Sequence, residues 1–145
     1  MLSRRLKDFF MIAAIPLMIV PFVLYNLAML GVFGAGGIAA LQHEVMSLSM
    51  LSGAIWTLSL GDVFVLVGLF VLFIEILKAT RNGSGSLLNH MLSMLVFIAF
   101  LVEFLLVRNA ATQNFFILMT IAFIDVVGGF AVSIRSAGRD VSIGL

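Results

Sequence analysis

Apolar runs alternate with short polar breaks along most of the chain, and the runs are as long as a membrane-spanning helix requires. A helix crosses the hydrocarbon core of a bilayer with roughly 20 consecutive apolar residues. Three such runs cover about 60–79, 87–107 and 115–134, and a fourth covers about 9–33. The pattern therefore predicts an all-α fold of four transmembrane helices in a polytopic membrane protein.

Polar breaks mark the ends of the predicted helices. The segment RNGSGS at 81–86 separates the second and third runs, and RNAATQN at 108–114 separates the third and fourth. Both segments are rich in residues that favour turns. Ser59 precedes the second run and Asp62 follows three residues later, which is the spacing of a helix capping box.

The first run is predicted to be an uncleaved membrane anchor. Basic residues precede it, as in a signal peptide, but the apolar core of a signal peptide covers only about 7–15 residues. The run at 9–33 is much longer. Pro16 and Pro21 lie inside it and predict kinks, because each removes one backbone hydrogen bond and frees a carbonyl, that of Ile12 or Leu17.

The segment between the first two runs, at about 38–56, is too polar in its middle to cross a membrane. Its apolar residues follow helical spacing at Leu41, Val45, Leu48 and Ile55. We expect an amphipathic helix that lies on the membrane surface, with Trp56 at the interface.

The amino-acid composition supports the prediction of a membrane protein. Of the 145 residues, 63% are hydrophobic and 10% are charged, whereas soluble domains average about half and about a quarter. The mean hydropathy is +1.25. A chain of this length forms one domain, 1–145. It contains no cysteine, which excludes disulfides, thiolate metal sites and cysteine nucleophiles.

Basic residues predict the orientation, because Lys and Arg collect on the cytoplasmic side of membrane proteins. Only Arg108 falls on the other side of the four predicted spans. The remaining basic residues share one side: Arg4, Arg5, Lys7, Lys78, Arg81, Arg135 and Arg139. We therefore expect a multi-pass protein of the bacterial inner membrane with both termini in the cytoplasm.

Small residues predict which helix faces pack against protein, because they let helix backbones approach closely in lipid. The candidate packing positions are Gly61, Gly68, Gly128 and Gly129. Glu75 continues the seven-residue spacing of the first two, and Asp125 lies about one turn before the last two. Both acids are therefore predicted to face other helices rather than lipid.

Ionisable residues inside the apolar runs are the candidates for function: Asp125, Glu75, His90, Glu103 and Asp62. Asp125 lies at the middle of its run, where a charge costs at least ~2.5–3.5 kcal/mol. An isolated carboxylate there favours its neutral form, so we expect a neutral Asp125 that donates to the Leu17 carbonyl. Two roles stay open for it, a proton or cation relay and a polar contact that holds the bundle or an oligomer together.

The other acids also have two interpretations each. Glu75 either pairs with Lys78 one turn later or with His90, which lies at the same distance from the polar turn and would titrate near neutral pH. Asp62 and Glu103 share a depth near the opposite surface. They either hold a proton or cation together or act structurally, with Asp62 at the positive end of its helix.

The sequence offers few candidate ligands for a metal ion or a cofactor. His43, Met46 and Met50 would lie on one side of the predicted surface helix, and imidazole and thioether ligands suit Cu(I), but methionine is also a common packing residue. His43 and His90 lie on opposite sides of the membrane in this topology and cannot share a haem. We predict no cofactor, no nucleic-acid surface and no enzymatic activity, since no nucleophile–base arrangement is visible and the loops are short.

Two functions remain open. The first is a non-enzymatic accessory or assembly subunit of a larger membrane complex, or a homo-oligomer, whose partners are the lipid bilayer and other membrane subunits or copies of itself. The second is a small proton- or cation-coupled transporter or channel that uses the intramembrane carboxylates.

Overall fold

The computed structural model describes residues 3–8, 15–81 and 86–144, and most of them are helical. Residues 3–8 form a short helical stretch. The main helices are α1 (Ile19–Met29), α2 (Leu60–Arg81), α3 (Ser86–Leu106) and α4 (Gln113–Ile143), with strands β1 (Glu44–Ser49) and β2 (Ile55–Ser59). Two short 3₁₀ helices cover Gly37–Gln42 and Arg108–Ala110.

Three helices are long and apolar enough to cross a membrane, as expected for a membrane protein. Their candidate spans are Leu60–Arg81, Leu87–Leu106 and Gln113–Arg135, close to the predicted runs. The last helix does not stop at the end of its span. It continues to Ile143, nine residues beyond the end of the predicted run at 115–134.

The first predicted span is described only in part, because residues 9–14 lie outside the described residues. Helix α1 has 11 residues, or about 16 Å of helix, which is shorter than the hydrocarbon core of about 30 Å. Residues 15–18 before it are not helical. Pro21 lies in the first turn of α1, where a proline costs no hydrogen bond. The described helices are thus three candidate spans and one shorter apolar helix.

The prediction of an amphipathic surface helix at 38–56 is wrong. After the 3₁₀ helix, β1 and β2 form an antiparallel hairpin with partners Ser47–Thr57, Leu48–Trp56 and Ser49–Ile55. The segment from Met46 to Met50 alternates apolar and polar residues, and this period of two is typical of a strand. Gly53 has a φ of +88°, a conformation that glycine adopts readily, and it closes the turn.

Helix α4 forms the centre of the bundle, since α2 and α3 each pack mainly against it. Close contact depends on two glycines of α2. A Cβ atom at Gly61 would lie 2.7 Å from Nδ2 of Asn114, and one at Gly68 would lie 2.7 Å from Leu118. Gly128 differs from the prediction, because no atom lies within 4 Å of a Cβ built there.

Aromatic side chains fill the half of the bundle nearest the hairpin. The rings of Tyr25 and Phe115 have centroids 4.8 Å apart, and those of Phe100 and Phe115 lie 5.3 Å apart. Phe104 stacks on Phe115 with centroids 6.3 Å apart. We call these four residues the aromatic cluster. Tyr25, Phe100 and Phe115 are each 0% exposed, so the cluster closes this half of the bundle with apolar atoms.

Candidate functional site

Buried polar side chains gather in the half of the bundle away from the hairpin. Among the described residues, the buried polar side chains are Glu75, Asn89, His90, Ser93 and Asp125. We call these five residues the polar cluster. They come from three helices, and they lie toward the end where α2 finishes at Arg81 and α4 passes Arg135. We call that end the basic end and the opposite one the hairpin end.

Asp125 lies in the middle of the α4 span and is only 6% exposed. The hydroxyl group of Ser93 interacts with its carboxyl group, and Oδ2 is buried with no hydrogen-bond partner among the described residues. The predicted bond to the Leu17 carbonyl is wrong, because that oxygen accepts from Val20 N at 3.0 Å. Pro21 lies at the start of α1 rather than in its interior, so it frees no carbonyl for Asp125.

Glu75 anchors the non-helical segment before α1 to α2. Its Oε1 accepts from the backbone N–H of Leu17 at 2.9 Å and from Nζ of Lys78 at 2.9 Å. Lys78 also donates to the Ile15 carbonyl, at 3.1 Å. A carboxylate at the start of a helix is stabilised by the positive end of the helix dipole. Of the two partners predicted for Glu75, Lys78 is therefore the one in direct contact.

His90 joins α3 to α4 near the basic end. Its Nε2 lies 2.6 Å from Oγ of Ser133. Its ring packs on Gly129, where a Cβ would lie 2.7 Å from ring atoms, so only glycine leaves room for the imidazole. The charge of Glu75 acts on both His90 and Asp125. The three ionisable residues predicted in this half of the bundle therefore belong to one electrostatic unit.

Two members of the polar cluster, Asn89 and Ser93, were not predicted from the sequence. They lie one turn apart on α3, a spacing that places two side chains on the same helix face. Ser93 interacts with Asp125, and Oδ1 of Asn89 is buried with no hydrogen-bond partner in the described part of the chain. The signal that could have revealed them is this polar pair at i and i+4 in an apolar helix.

The polar groups are arranged by depth. Ser133 and His90 lie nearest the basic end, and Ser93 and Asp125 lie at the middle of the bundle. On α4, Asp125 precedes Arg135 by ten residues, or about 15 Å of helix. Beyond Asp125 the interior consists of Ile121 and Leu118 and then the aromatic cluster. The bundle therefore has a polar half that extends from the basic end to its middle, and a mostly apolar half that includes the bond between Asn26 and Glu103.

Asp62 and Glu103 have separate partners rather than each other. Oδ2 of Asp62 accepts from Ser59 N at 2.9 Å, and Oγ of Ser59 accepts from Asp62 N at 3.2 Å, which are the reciprocal bonds of a capping box. Oε2 of Glu103 accepts from Nδ2 of Asn26 at 3.2 Å. Glu103 also lines a groove of about 510 Å³ between α1 and α3.

The hairpin does not bring together the three residues suggested as copper ligands. His43, Met46 and Met50 were grouped by helical spacing, but Met46 lies in β1 opposite Leu58. Four residues of extended strand cover about 13 Å, which separates the two methionines. Within 3–8, 15–81 and 86–144, no group of three or more His, Cys, Asp or Glu side chains is placed to hold a metal ion.

Comparison of the chain with protein-family models, with curated proteins and with solved structures finds no match. The class of the protein therefore follows from its own fold and site. It is a small helical membrane protein with a buried cluster of ionisable and neutral polar side chains between three of its helices.

Proposed function

We propose that the protein is a small membrane transporter or channel coupled to protons or cations, in which Asp125 binds the ion at the middle of the membrane. The observation that carries this proposal is the convergence of five buried polar side chains inside apolar helices. Ionisable residues are costly inside a membrane, and they mark ion pathways and proton relays.

The polar half of the bundle supplies a route to Asp125. An ion enters at the basic end beside His90 and Ser133, whose side chains are bonded to each other. It then passes Asn89 and Ser93, which lie one turn apart on α3. Glu75 takes no ion, because Lys78 already neutralises its carboxylate at 2.9 Å. Asp125 is left as the one acid of the polar cluster without a basic partner, and it alternates between ion-bound and free forms.

The non-helical backbone at 15–18, before α1, supports the same function. Irregular backbone at membrane depth is tolerated only where it is buried in protein or lines a cavity, and many transporters build their ion sites beside irregular segments of this kind. Residues 15–18 are non-helical, and Glu75 binds the Leu17 N–H there. Movement of α1 against α2 at this contact would change access to the polar cluster.

Two further features complete the proposal. The aromatic cluster closes the hairpin end, so the ion reaches Asp125 from the basic end in this conformation and leaves on the other side only after a rearrangement. The basic residues at 78, 81 and 135 favour a cytoplasmic location for the basic end. We therefore propose a bacterial inner-membrane protein with both termini in the cytoplasm.

Replacement of Asp125 tests the proposed function directly. In liposomes that contain the purified protein, the Asp125→Asn variant is expected to reduce proton and Na⁺ flux to that of protein-free liposomes, because it removes the charge that binds the ion. Asp62→Asn is the matched control, since Asp62 is exposed and caps α2 at the hairpin end.

Gel filtration in detergent shows whether both variants assemble as the wild type does. Equal flux from the Asp125→Asn variant and the wild type would contradict the proposal. Failure of Asp125→Asn to assemble would assign Asp125 a structural role instead.

A second function, as an accessory subunit or a homo-oligomer, is favoured by the surface between α1 and α3. The groove beside Glu103 and an apolar groove of about 400 Å³ both include Phe22 and Ala99, so they form one continuous furrow. A helix of another subunit would pack into it. Purification in mild detergent separates the two functions, because a foreign subunit recovered in fixed ratio, with no flux, would support this one.

A further inference from the structure

We infer that the polar cluster binds one alkali cation, with Na⁺ as the probe, through oxygen atoms of Asn89, Ser93 and Asp125. This inference rests on the proposed function and names the ion class that the site accepts. It also adds two ligands, Asn89 and Ser93, to the single acid on which the proposed function depends.

Two oxygens of the polar cluster are buried acceptors without a donor in the described part of the chain. Oδ1 of Asn89 and Oδ2 of Asp125 are both buried without a hydrogen-bond partner among the described residues, and each residue is only 6% exposed. A buried polar atom without a partner costs about 1–3 kcal/mol. Oδ1 of Asn89 is an acceptor, and so is Oδ2 of Asp125 when its carboxyl group is ionised, so a cation satisfies both oxygens together.

The three side chains belong to two helices that pack together, α3 and α4. Ser93 is 3% exposed, and its hydroxyl group interacts with the carboxyl group of Asp125. Asn89 precedes it by one turn, and side chains with this spacing have Cβ atoms about 5–6 Å apart. The hydroxyl oxygen of Ser93 keeps lone pairs when its hydrogen is donated. An amide and a hydroxyl oxygen on one face of α3, and a carboxyl oxygen of Asp125 on α4, are therefore the three ligands that we assign to the cation.

The charge balance of the polar cluster and the type of its ligands also favour an alkali cation. The Lys78 ammonium balances Glu75 at 2.9 Å, so Asp125 is the one unbalanced charge of the polar cluster and matches a monovalent cation. Oxygen ligands suit hard cations, and several neutral oxygens replace the hydration shell that an ion loses in a buried site. A proton needs one acceptor atom, whereas the cluster offers three oxygens.

The test measures thermal unfolding of the full-length protein in detergent while NaCl, KCl or LiCl replaces choline chloride at constant pH and ionic strength. A ligand that binds only the folded state raises the Tm as its concentration rises. We expect a saturable rise in Tm with at least one alkali cation. The Asn89→Ala and Ser93→Ala variants are expected to lose that rise, and Asn26→Ala, at the other end of the bundle beside Glu103, is expected to keep it.

The inference is overturned if alkali cations act no differently from choline on the wild type, or if Asn89→Ala and Ser93→Ala keep the full rise in Tm. The wild-type series decides the matter even if a variant does not fold. Flux that depends on Asp125 and on a pH gradient, but on no alkali cation, would leave the proposed function standing with a proton as the ion. Flux independent of Asp125 would remove the proposed function itself.

Discussion

Replacing Glu75 with alanine is expected to lower the free energy of unfolding by about 3–5 kcal/mol, because removal of one partner from a buried ion pair leaves the other charge uncompensated. Glu75 is 3% exposed, and its Oε1 accepts from Lys78 and from the Leu17 N–H. The substitution removes the acceptor of the Leu17 N–H and leaves Lys78 with the Ile15 carbonyl. The contact between α2 and the segment before α1 would therefore weaken.

Unfolding by SDS in mixed micelles measures this effect, with Glu44→Ala as the matched control, because Glu44 is an exposed acid in the hairpin. The Glu75→Gln variant adds a finer test. Its amide oxygen still accepts from the Leu17 N–H, so it should keep α1 in place while Lys78 loses its counter-charge. A Glu75→Ala variant as stable as Glu44→Ala would show that this contact does not hold α1.

Truncation of Phe115 is the second change with a large expected effect. Phe115 is 0% exposed, and its ring contacts Tyr25, Phe100 and Phe104. Replacing a buried phenylalanine with alanine costs about 3–5 kcal/mol through lost burial and the cavity that remains. The Phe115→Ala variant is therefore expected to be strongly destabilised in the same SDS assay.

The neighbouring Phe116 provides a control of the same residue type. It is 47% exposed, and the one ring of the aromatic cluster that it contacts is Phe104, with centroids 5.7 Å apart, so Phe116→Ala should cost much less. Equal destabilisation by the two variants would mean that the aromatic cluster does not form the closed half of the bundle. A Phe115→Ala variant that folds is also expected to leak ions, because the cluster closes the route beyond Asp125.

The membrane helices α2, α3 and α4 could be predicted from the sequence because their signal is local. Each is a run of about 20 apolar residues between segments such as 81–86 and 108–114 that cannot continue in lipid. The length of α1 could not be predicted in the same way. The apolar run at 9–33 contains Pro16 and Pro21, and hydropathy alone does not show that the proline at 21 starts a helix rather than bending one.

The hairpin was mistaken for a helix because its sequence satisfies two periods at once. Leu41, Val45 and Leu48 fit helical spacing, whereas Met46 to Met50 alternates in the manner of a strand. The choice between them depends on the pairing with 55–59, which supplies Trp56 opposite Leu48. Such a pairing is a non-local contact, and one segment read by itself does not reveal it.

The ionisable members of the polar cluster could be predicted from the sequence, whereas its neutral polar members could not. Asp125, Glu75 and His90 are conspicuous because charge is costly in lipid. Asn89 and Ser93 are not, since neutral polar residues are common contacts between membrane helices. Their role depends on the placement of α4 between α2 and α3. The sequence suggested instead that α2 and α3 pack on each other, since Glu75 and His90 lie at equal distances from the turn that joins these helices.

The chain contains no cysteine, so single introduced thiols report on access to the polar half without background. The most direct measurement is the reaction of a Ser93→Cys variant in liposomes with a membrane-impermeant thiol reagent added from each side. Leu118→Cys is the control, since Leu118 is 0% exposed and packs against Gly68. We predict that Ser93→Cys reacts from the basic end alone and that Leu118→Cys reacts from neither side. Reaction of Ser93→Cys only from the hairpin end, or from neither end, would contradict an ion route to Asp125.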